Sequence, residues 1–132
     1  MRDQQPKNTG VIQVDVVVQQ DGTTFKATYS QGVIPVSEHD TKIEFHLVAP
    51  TPDDIIIDQV TIKQLGQTQL STPEIKDNGK KAKLTDKNTE RASYNLKFTF
   101  KNKHTAASAL RADVECKVEG LEIPQIDNNP PG

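Results

Sequence analysis

The sequence predicts an all-β domain built as a two-layer sandwich, and a strict alternation of side chains is the main reason. Residues 94–100 place Tyr94, Leu96, Phe98 and Phe100 on every second position, with polar residues between them. Successive side chains of a strand point to opposite faces, so this pattern predicts a strand with one face on a core. The same period occurs at residues 43–47 and 112–118, and no segment has an apolar stripe of helical period.

Composition limits the size of the domain and the classes of partner. A chain of 132 residues with 33% hydrophobic residues predicts one domain with a thin core between two sheets. Trp is absent and aromatic residues make up 5%, which disfavours a carbohydrate-binding sandwich with exposed rings. The net charge of −2 is too balanced to predict a nucleic-acid or anionic-membrane partner.

The cysteine count and the N-terminus bear on location. The single cysteine, Cys116, cannot form an internal disulfide, and its place on the apolar phase predicts a buried side chain. Residues 1–10 are polar, so we expect a flexible tail there rather than a signal peptide or membrane span. The predicted location is therefore cytoplasmic; a chain whose leader had been removed would have the same sequence.

The first element pair is a predicted hairpin. Residues 11–20 are apolar in part on both phases, which is typical of a central strand or of a strand covered by a loop. Asp21-Gly22 then favours a tight turn, and Phe25, Ala27 and Tyr29 alternate along the returning strand.

The next elements are shorter and bounded by prolines. Gly32 interrupts the chain, and Pro35 within residues 33–36 predicts an edge strand or a switch between sheets, because proline has no amide donor. Residues 41–48 form the next predicted strand. Pro50 and Pro52 end it and favour an extended connection.

The middle of the chain gives a weaker pattern. In residues 55–65 the apolar phase changes between Ile57 and Val60, which predicts a β-bulge near Asp58 or two short strands. Residues 77–79 indicate a turn, and we expect Ala82 and Leu84 to form a short edge strand.

The C-terminal third predicts a closing pair of strands, residues 93–102 and 110–119, followed by a tail. The predicted organisation is a tail at 1–10, a sandwich at 11–120 and an extended tail at 121–132. Two interpretations of the tail are open. Its apolar residues could pair along a sheet edge of the same molecule or of a neighbour, or the last strand could run on and fray at Asn128. These apolar residues are Leu121, Ile123 and Ile126.

One short run makes the sandwich prediction more specific. Residues 90–96 read Glu-Arg-Ala-Ser-Tyr-Asn-Leu, which resembles the acidic-x-Ala-x-Tyr-x-Cys run opening the sixth strand of immunoglobulin domains. Leu96 stands where the disulfide cysteine would be. The resemblance implies an immunoglobulin-like antiparallel β-sandwich of about seven strands.

The C-terminal segment carries a second resemblance. Residues 123–131 read Ile-Pro-Gln-Ile-Asp-Asn-Asn-Pro-Pro, which resembles the closing segment of the DP-EP family of uncharacterised bacterial proteins. Members of that family carry an Asp-Pro and then a Glu-Pro dipeptide. Here Ile123-Pro124 and Asn129-Pro130 occupy those places, so both acids are replaced. The resemblance implies an immunoglobulin-like sandwich and no known activity.

Two polar loops hold the candidate metal ligands. Glu38, His39 and Asp40 are adjacent in one loop, and Asp53 and Asp54 are adjacent in the other. Metal sites need ligands that converge from several directions, so solvated loop charge is the alternative interpretation for each. The cluster Lys80-Lys81-Ala82-Lys83 has acidic neighbours and is interpreted as a solvated turn rather than a phosphate site.

No motif for nucleophilic or metal-dependent catalysis occurs in the sequence. His104, Ser108 and Asp113 fall in or beside one predicted hairpin loop without an oxyanion-hole signature, so we expect no enzyme activity and no cofactor. The leading hypothesis is a non-enzymatic interaction module that self-associates or binds a protein through sheet edges or the C-terminal tail. The alternative is a ligand- or metal-binding accessory domain that uses residues 37–40 and 51–54.

Overall fold

A computed structural model describes residues 11–21, 24–102, 116–118 and 121–131, and these form an all-β sandwich. The described residues contain no α-helix, and their one helical segment is a 3-10 turn at Asp77–Gly79. The strands, in chain order, are β1 Val11–Asp21, β2 Thr24–Tyr29, β3 Val33–Val36, β4 Thr41–Leu47, β5 Ile55–Ile62, β6 Glu74–Lys76, β7 Lys81–Asp86, β8 Ala92–Asn102, β9 Cys116–Val118, β10 Leu121–Ile123 and β11 Gln125–Asn128.

The larger sheet has five strands in the order β2-β1-β4-β7-β6. The predicted first hairpin is confirmed, because β1 and β2 are antiparallel and Asp21 is paired with Thr24. The central place of β1 is confirmed too, since β4 lies on its other side. Strand neighbours do not cover the outer face of β1, where Val11 is 48% exposed, so the apolar residues on that phase lie on a partly solvated face.

The smaller sheet has four strands in the order β3-β11-β8-β5. The chain therefore changes sheets between β2 and β3, and among the described residues β3 is an edge strand. Pro35 predicted one or the other of these features, and both are found. Because Pro35 donates no amide hydrogen, the edge is the place where it disturbs the ladder least.

The core lies between the inner faces of the two sheets. Phe98 of the smaller sheet joins them, since its ring lies 4.8 Å from the ring of Phe45 and 5.8 Å from that of Tyr29, measured between centroids. Both partners belong to the larger sheet. The predicted alternation on β8 is confirmed, because its inward residues Tyr94, Leu96, Phe98 and Phe100 are all buried.

Two strand pairs depart from the predicted antiparallel arrangement. β1 is parallel to β4, and β3 is parallel to β11. Parallel neighbours need a crossover connection between them, and the passage of the chain through β2 and β3 provides the crossover from β1 to β4. Local alternation carries no information on the direction of a neighbouring strand.

Of two predictions for the middle of the chain, one is confirmed and one is wrong. The predicted bulge is confirmed, because the register between β5 and β8 shifts between Ile57 and Gln59 within one continuous strand. The predicted edge position of Ala82 and Leu84 is wrong. They belong to β7, which pairs with β4 on one side and with the three-residue β6 on the other. The short β6 is polar apart from Ile75, so alternation did not reveal it.

The C-terminal segment contributes an interior strand. β11 pairs with β3 on one side and β8 on the other, and Ile126 is fully buried. Pairing within the same molecule was one interpretation of the tail. Fraying at Asn128 is wrong, because Asn128 is paired with Val36 and Ala92.

The predicted strand at residues 110–119 is described only in part. β9 pairs with β10 in a separate two-stranded sheet, and the smaller sheet continues with β11 next to β8 over residues 92–95. The predicted burial of the Cys116 side chain and the loop that holds His104, Ser108 and Asp113 lie outside the described residues. None of the helical segments in the described ranges has the length and apolar content of a membrane span.

Candidate functional site

The structure separates the two loops that hold the predicted metal ligands. Strand β4 starts just after Asp40 and ends a few residues before Asp53, and its seven residues span about 20 Å. The two loops therefore lie at opposite ends of the sandwich. We call them the Asp86 end, where β7 ends beside the start of β4, and the Lys80 end, where β7 begins beside the end of β4.

At the Asp86 end, the loop between β3 and β4 exposes Glu38, His39 and Asp40 to solvent. The backbone of this loop is well held, because the Asp40 N–H donates to the Lys87 carbonyl and the Thr41 hydroxyl donates to the Glu38 carbonyl. In the described part of the chain, no group of three or more His, Cys, Asp or Glu side chains is placed to hold a metal ion.

At the Lys80 end, a lysine joins the loop after β4 to the start of β5. The Lys80 ammonium donates to the carbonyls of Asp53 and Ile55 at 2.7 and 2.8 Å. The Asp54 carboxylate accepts a hydrogen bond from the Asn102 amide. Lys80 lies in a turn and is partly exposed, as predicted for the lysine cluster, whereas Lys81, Ala82 and Lys83 lie in β7, where the predicted turn is wrong. The Lys80 side chain also binds backbone of a distant segment, which alternation could not place next to it.

A charged group lies on the outer face of the larger sheet, where β4 and β7 are neighbours. The Glu44 carboxylate lies 3.0 Å from His46 Nε2 and 3.6 Å from the Lys81 ammonium. The hydrogen bond from His46 and the positive charge of Lys81 hold the pKa of Glu44 below its ordinary value, against a smaller rise caused by burial. This group is solvated and resembles the ordinary polar face of a half-exposed sheet.

A different set of polar residues lies inside the Asp86 end. Asp86 and Asn88 are 0% exposed and Asn128 is 3% exposed. Asp86 and Asn128 follow the inward phases of β7 and β11, which belong to different sheets. The two side chains therefore extend into the same interior from opposite layers.

Asn88 connects several segments of the Asp86 end by hydrogen bonds. Its side-chain Nδ2 donates to the carbonyls of Val36 and Glu38 at 3.1 Å and approaches that of Asn129 at 3.4 Å. Its backbone N–H donates to one oxygen of Asp86, at 2.9 Å. Asn88 has a φ of 53°, in the left-handed region that asparagine tolerates better than most residues.

Several atoms of these three side chains have no partner. Among the described residues, Asp86 Oδ2, Asn88 Oδ1 and both side-chain atoms of Asn128 make no hydrogen bond. Buried polar atoms are nearly always paired, so four such atoms at one place are unusual. Burial raises the pKa of Asp86. The Asn88 N–H and the nearby Asn128 amide oppose that rise, although the Asn128 amide lies outside ordinary hydrogen-bond geometry.

Gln69 and Tyr94 border this cluster. The buried Gln69 accepts hydrogen bonds from the backbone N–H groups of Thr89 and Glu90 and donates to the Thr89 hydroxyl, which fixes the loop that carries Asn88. Burial raises the pKa of Tyr94, and the charges of Glu90 and Asp86 raise it further. Gln69 therefore holds this loop by hydrogen bonds on the side that faces the core.

The sequence offered one unused signal for the cluster. Asp86 follows Ala82 and Leu84, and Asn128 follows Ile126, each on the inward phase of its strand. A polar residue at the end of an apolar alternation usually indicates that the strand leaves the core there. Asp86 and Asn128 were therefore not predicted to be buried. No local pattern connects the two positions, because about forty residues of chain separate them.

One edge of the smaller sheet ends beside an exposed leucine. After its bulge, β5 carries Val60 and Ile62, which are partly buried and pack against the core. Leu65 follows directly and is 92% exposed, in a turn where Gly66 has a φ of 77°. Among the described residues, β5 has β8 as its single strand neighbour in the sheet.

Two comparisons, with protein-family models and with curated proteins, give no relative for this chain. No family model matches it, and no curated protein matches it significantly. The resemblance of the C-terminal segment to the DP-EP family stays a prediction.

Proposed function

We propose that this chain is a non-enzymatic interaction module that pairs with a second copy of itself along the post-bulge half of β5. The observation that supports the proposal best is Leu65, an almost fully exposed leucine that follows an edge strand whose Val60 and Ile62 are partly buried against the core. An apolar strip beside unpaired main-chain groups is what strand addition uses.

The other edges are less suited to pairing. β3 carries Pro35, and β6 has three residues, of which Glu74 and Lys76 are charged. Such features protect an edge against addition of another strand. The edge β2 comes close to β9. The beginning of β5 is covered as well, because Lys80 binds the Ile55 carbonyl and Gly79 contacts Ile56.

The post-bulge half of β5 is complementary to itself. In an antiparallel pair centred on Thr61, Val60 of one copy lies opposite Ile62 of the other, and Gln59 lies opposite Lys63. Apolar side chains then meet apolar ones, and no like charges face each other. The pair would join two four-stranded sheets into one sheet of eight strands.

The C-terminal tail is not part of this proposal. Strand β11 lies between β3 and β8, so donating it to a neighbour requires opening the smaller sheet. The immunoglobulin-like assignment remains part of the proposal. The neighbours β6-β7-β4 and β5-β8-β11 follow the order D-E-B and C-F-G of that sandwich, which supports the assignment.

Size-exclusion chromatography with light scattering tests the proposal directly. We expect a concentration-dependent dimer in the wild-type protein. The exposed Thr61 lies on the symmetry axis of the proposed pair, so Thr61→Lys places two like charges against each other and should give a monomer. Thr28→Lys introduces the same change on β2 and should leave the dimer intact. A wild-type monomer at all concentrations, or an unchanged dimer in Thr61→Lys, contradicts the proposal.

A further inference from the structure

We propose that the buried oxygens of Asp86, Asn88 and Asn128 bind a hard cation between the two sheets. The three side chains carry one carboxylate and two amides, and each is nearly or fully removed from solvent. This site differs from both loops that the sequence indicated, and it is independent of the self-association proposed above.

The first argument for a cation is the balance of hydrogen-bond donors and acceptors at this site. Three of the unpartnered atoms are oxygens, and the fourth is the Asn128 nitrogen. The orientation of the Asn128 amide can change, because rotating it exchanges the positions of its oxygen and nitrogen. We assume the orientation in which the nitrogen donates a hydrogen bond to Asp86. The oxygens of Asn88 and Asn128 then still lack a partner. The site therefore has an excess of acceptors, which a positively charged ligand removes.

The second argument for a cation is the negative charge of the Asp86 carboxylate. Among the described residues, the groups that stabilise its carboxylate are the Asn88 N–H and the Asn128 amide, and both are uncharged. An ionised carboxylate without a positive partner is costly to bury. A bound water molecule satisfies the spare oxygens but leaves this charge uncompensated, whereas a cation does both.

The chemistry of the oxygens selects the type of ion. Calcium takes carboxylate, amide and backbone carbonyl oxygens in a flexible geometry, whereas zinc prefers nitrogen and sulfur ligands. A single carboxylate provides little charge, so we expect weak calcium binding, with a Kd on the order of 10⁻⁴ to 10⁻³ M. Each ligand residue comes from a separate segment, and a cation would therefore link β7, the loop after it and β11.

Thermal unfolding with added CaCl2, and with NaCl at matched ionic strength, tests the inference. A ligand that binds only the folded state raises Tm, and calcium at ten times Kd should raise it by about 4 °C. Isothermal titration calorimetry at pH 7 provides an independent Kd. The dimer state is measured in the same samples, so failure of this inference is distinguishable from failure of the β5 proposal.

Three variants separate the proposed site from other carboxylates. Asp86→Asn should abolish the calcium response, whereas Asn128→Asp adds a second carboxylate and should lower Kd at least tenfold. Asp53→Asn removes an exposed carboxylate at the other end and should respond like the wild type. The folded state of each variant is checked by far-ultraviolet circular dichroism, and if Asp86→Asn does not fold, Asn128→Asp decides the test.

Two results overturn the inference. The first is the absence of a calcium response in the wild type, and the second is an equal response in the wild type and Asp86→Asn. In the first case, a gain of stability on acidification would show that a proton neutralises Asp86 instead of a cation.

Discussion

The two ends of the sandwich hold polar residues in opposite ways. At the Lys80 end, a partly exposed lysine satisfies two backbone carbonyls, and Asp54 pairs with Asn102 near the surface. At the Asp86 end, a carboxylate and two amides are enclosed between the sheets, and four of their atoms have no partner among the described residues.

The difference shows where sequence patterns mislead. The polar runs at residues 38–40 and 53–54 are conspicuous in the sequence, yet the structure places them in loops at opposite ends, where only Asp54 is half-buried. The buried cluster consists of single polar residues in separate segments, and only the fold brings them together. Burial, rather than local charge density, therefore identifies the unusual site.

The largest effect is expected from Asn88→Ala at the Asp86 end. The change removes the Asn88 side-chain hydrogen bonds to the carbonyls of Val36 and Glu38, each of which keeps one other donor, and it places alanine at a positive φ in a buried position. We expect a loss of about 3 kcal/mol in the free energy of unfolding, measured with urea.

Asn88→Gly is the matched control, because glycine removes the side chain and tolerates the backbone conformation. It should recover about 1 kcal/mol of that loss. A total loss below about 1 kcal/mol in Asn88→Ala would show that this end is not held by the asparagine.

Gly79→Ala probes the close packing beside the Lys80 end. A Cβ at this position would lie 2.6 Å from Ile56 Cβ, and Gly79 has a φ of 89°. We expect a loss of about 2 kcal/mol from the clash and the backbone strain together. Gly66→Ala has a similar φ of 77° but an open environment, so it should lose about half as much. Equal losses in urea titrations would show that the Ile56 contact is not tight.

Lys80→Met measures how strongly the Lys80 end depends on its bridging lysine. The methionine keeps the apolar stem and removes two hydrogen bonds to partly exposed carbonyls. We expect a loss of about 1 kcal/mol in chemical denaturation, well below that of Asn88→Ala. Lys42→Met alters an exposed lysine on β4 and should be nearly neutral. If Lys80→Met costs more than Asn88→Ala, the contrast between the ends is reversed.

The smallest effect is expected from Glu44→Gln, on the solvated face between the ends. The folded pKa of Glu44 is lowered, so its contribution to stability is present above the ordinary value of 4.5 and is lost as the pH falls through the folded pKa. The wild type should exceed Glu44→Gln by less than about 1 kcal/mol at pH 7, and the difference should disappear as the pH falls through the lowered folded pKa. A difference independent of pH would show that the carboxylate has no part in it.

The sequence predicted where strands occur along the chain better than it predicted which strands pair with each other. Alternation located β8, the first hairpin and the bulge near Asp58, because each depends on residues close in the chain. It did not predict the interior place of β7 or β11, since these depend on pairing with distant strands. The same limit applies to the site: Asp86 and Asn128 meet only because β7 and β11 lie in facing sheets.

A double-mutant cycle between Asp86 and Asn128 tests this central point most directly. The free energy of unfolding is measured for the wild type, Asp86→Asn, Asn128→Ala and the double variant, all in the same buffer. The structure predicts that the two changes are non-additive by about 1 kcal/mol or more, because the side chains share one enclosed site. Additivity within about 0.4 kcal/mol would contradict it and would mean that β11 does not bring Asn128 next to Asp86.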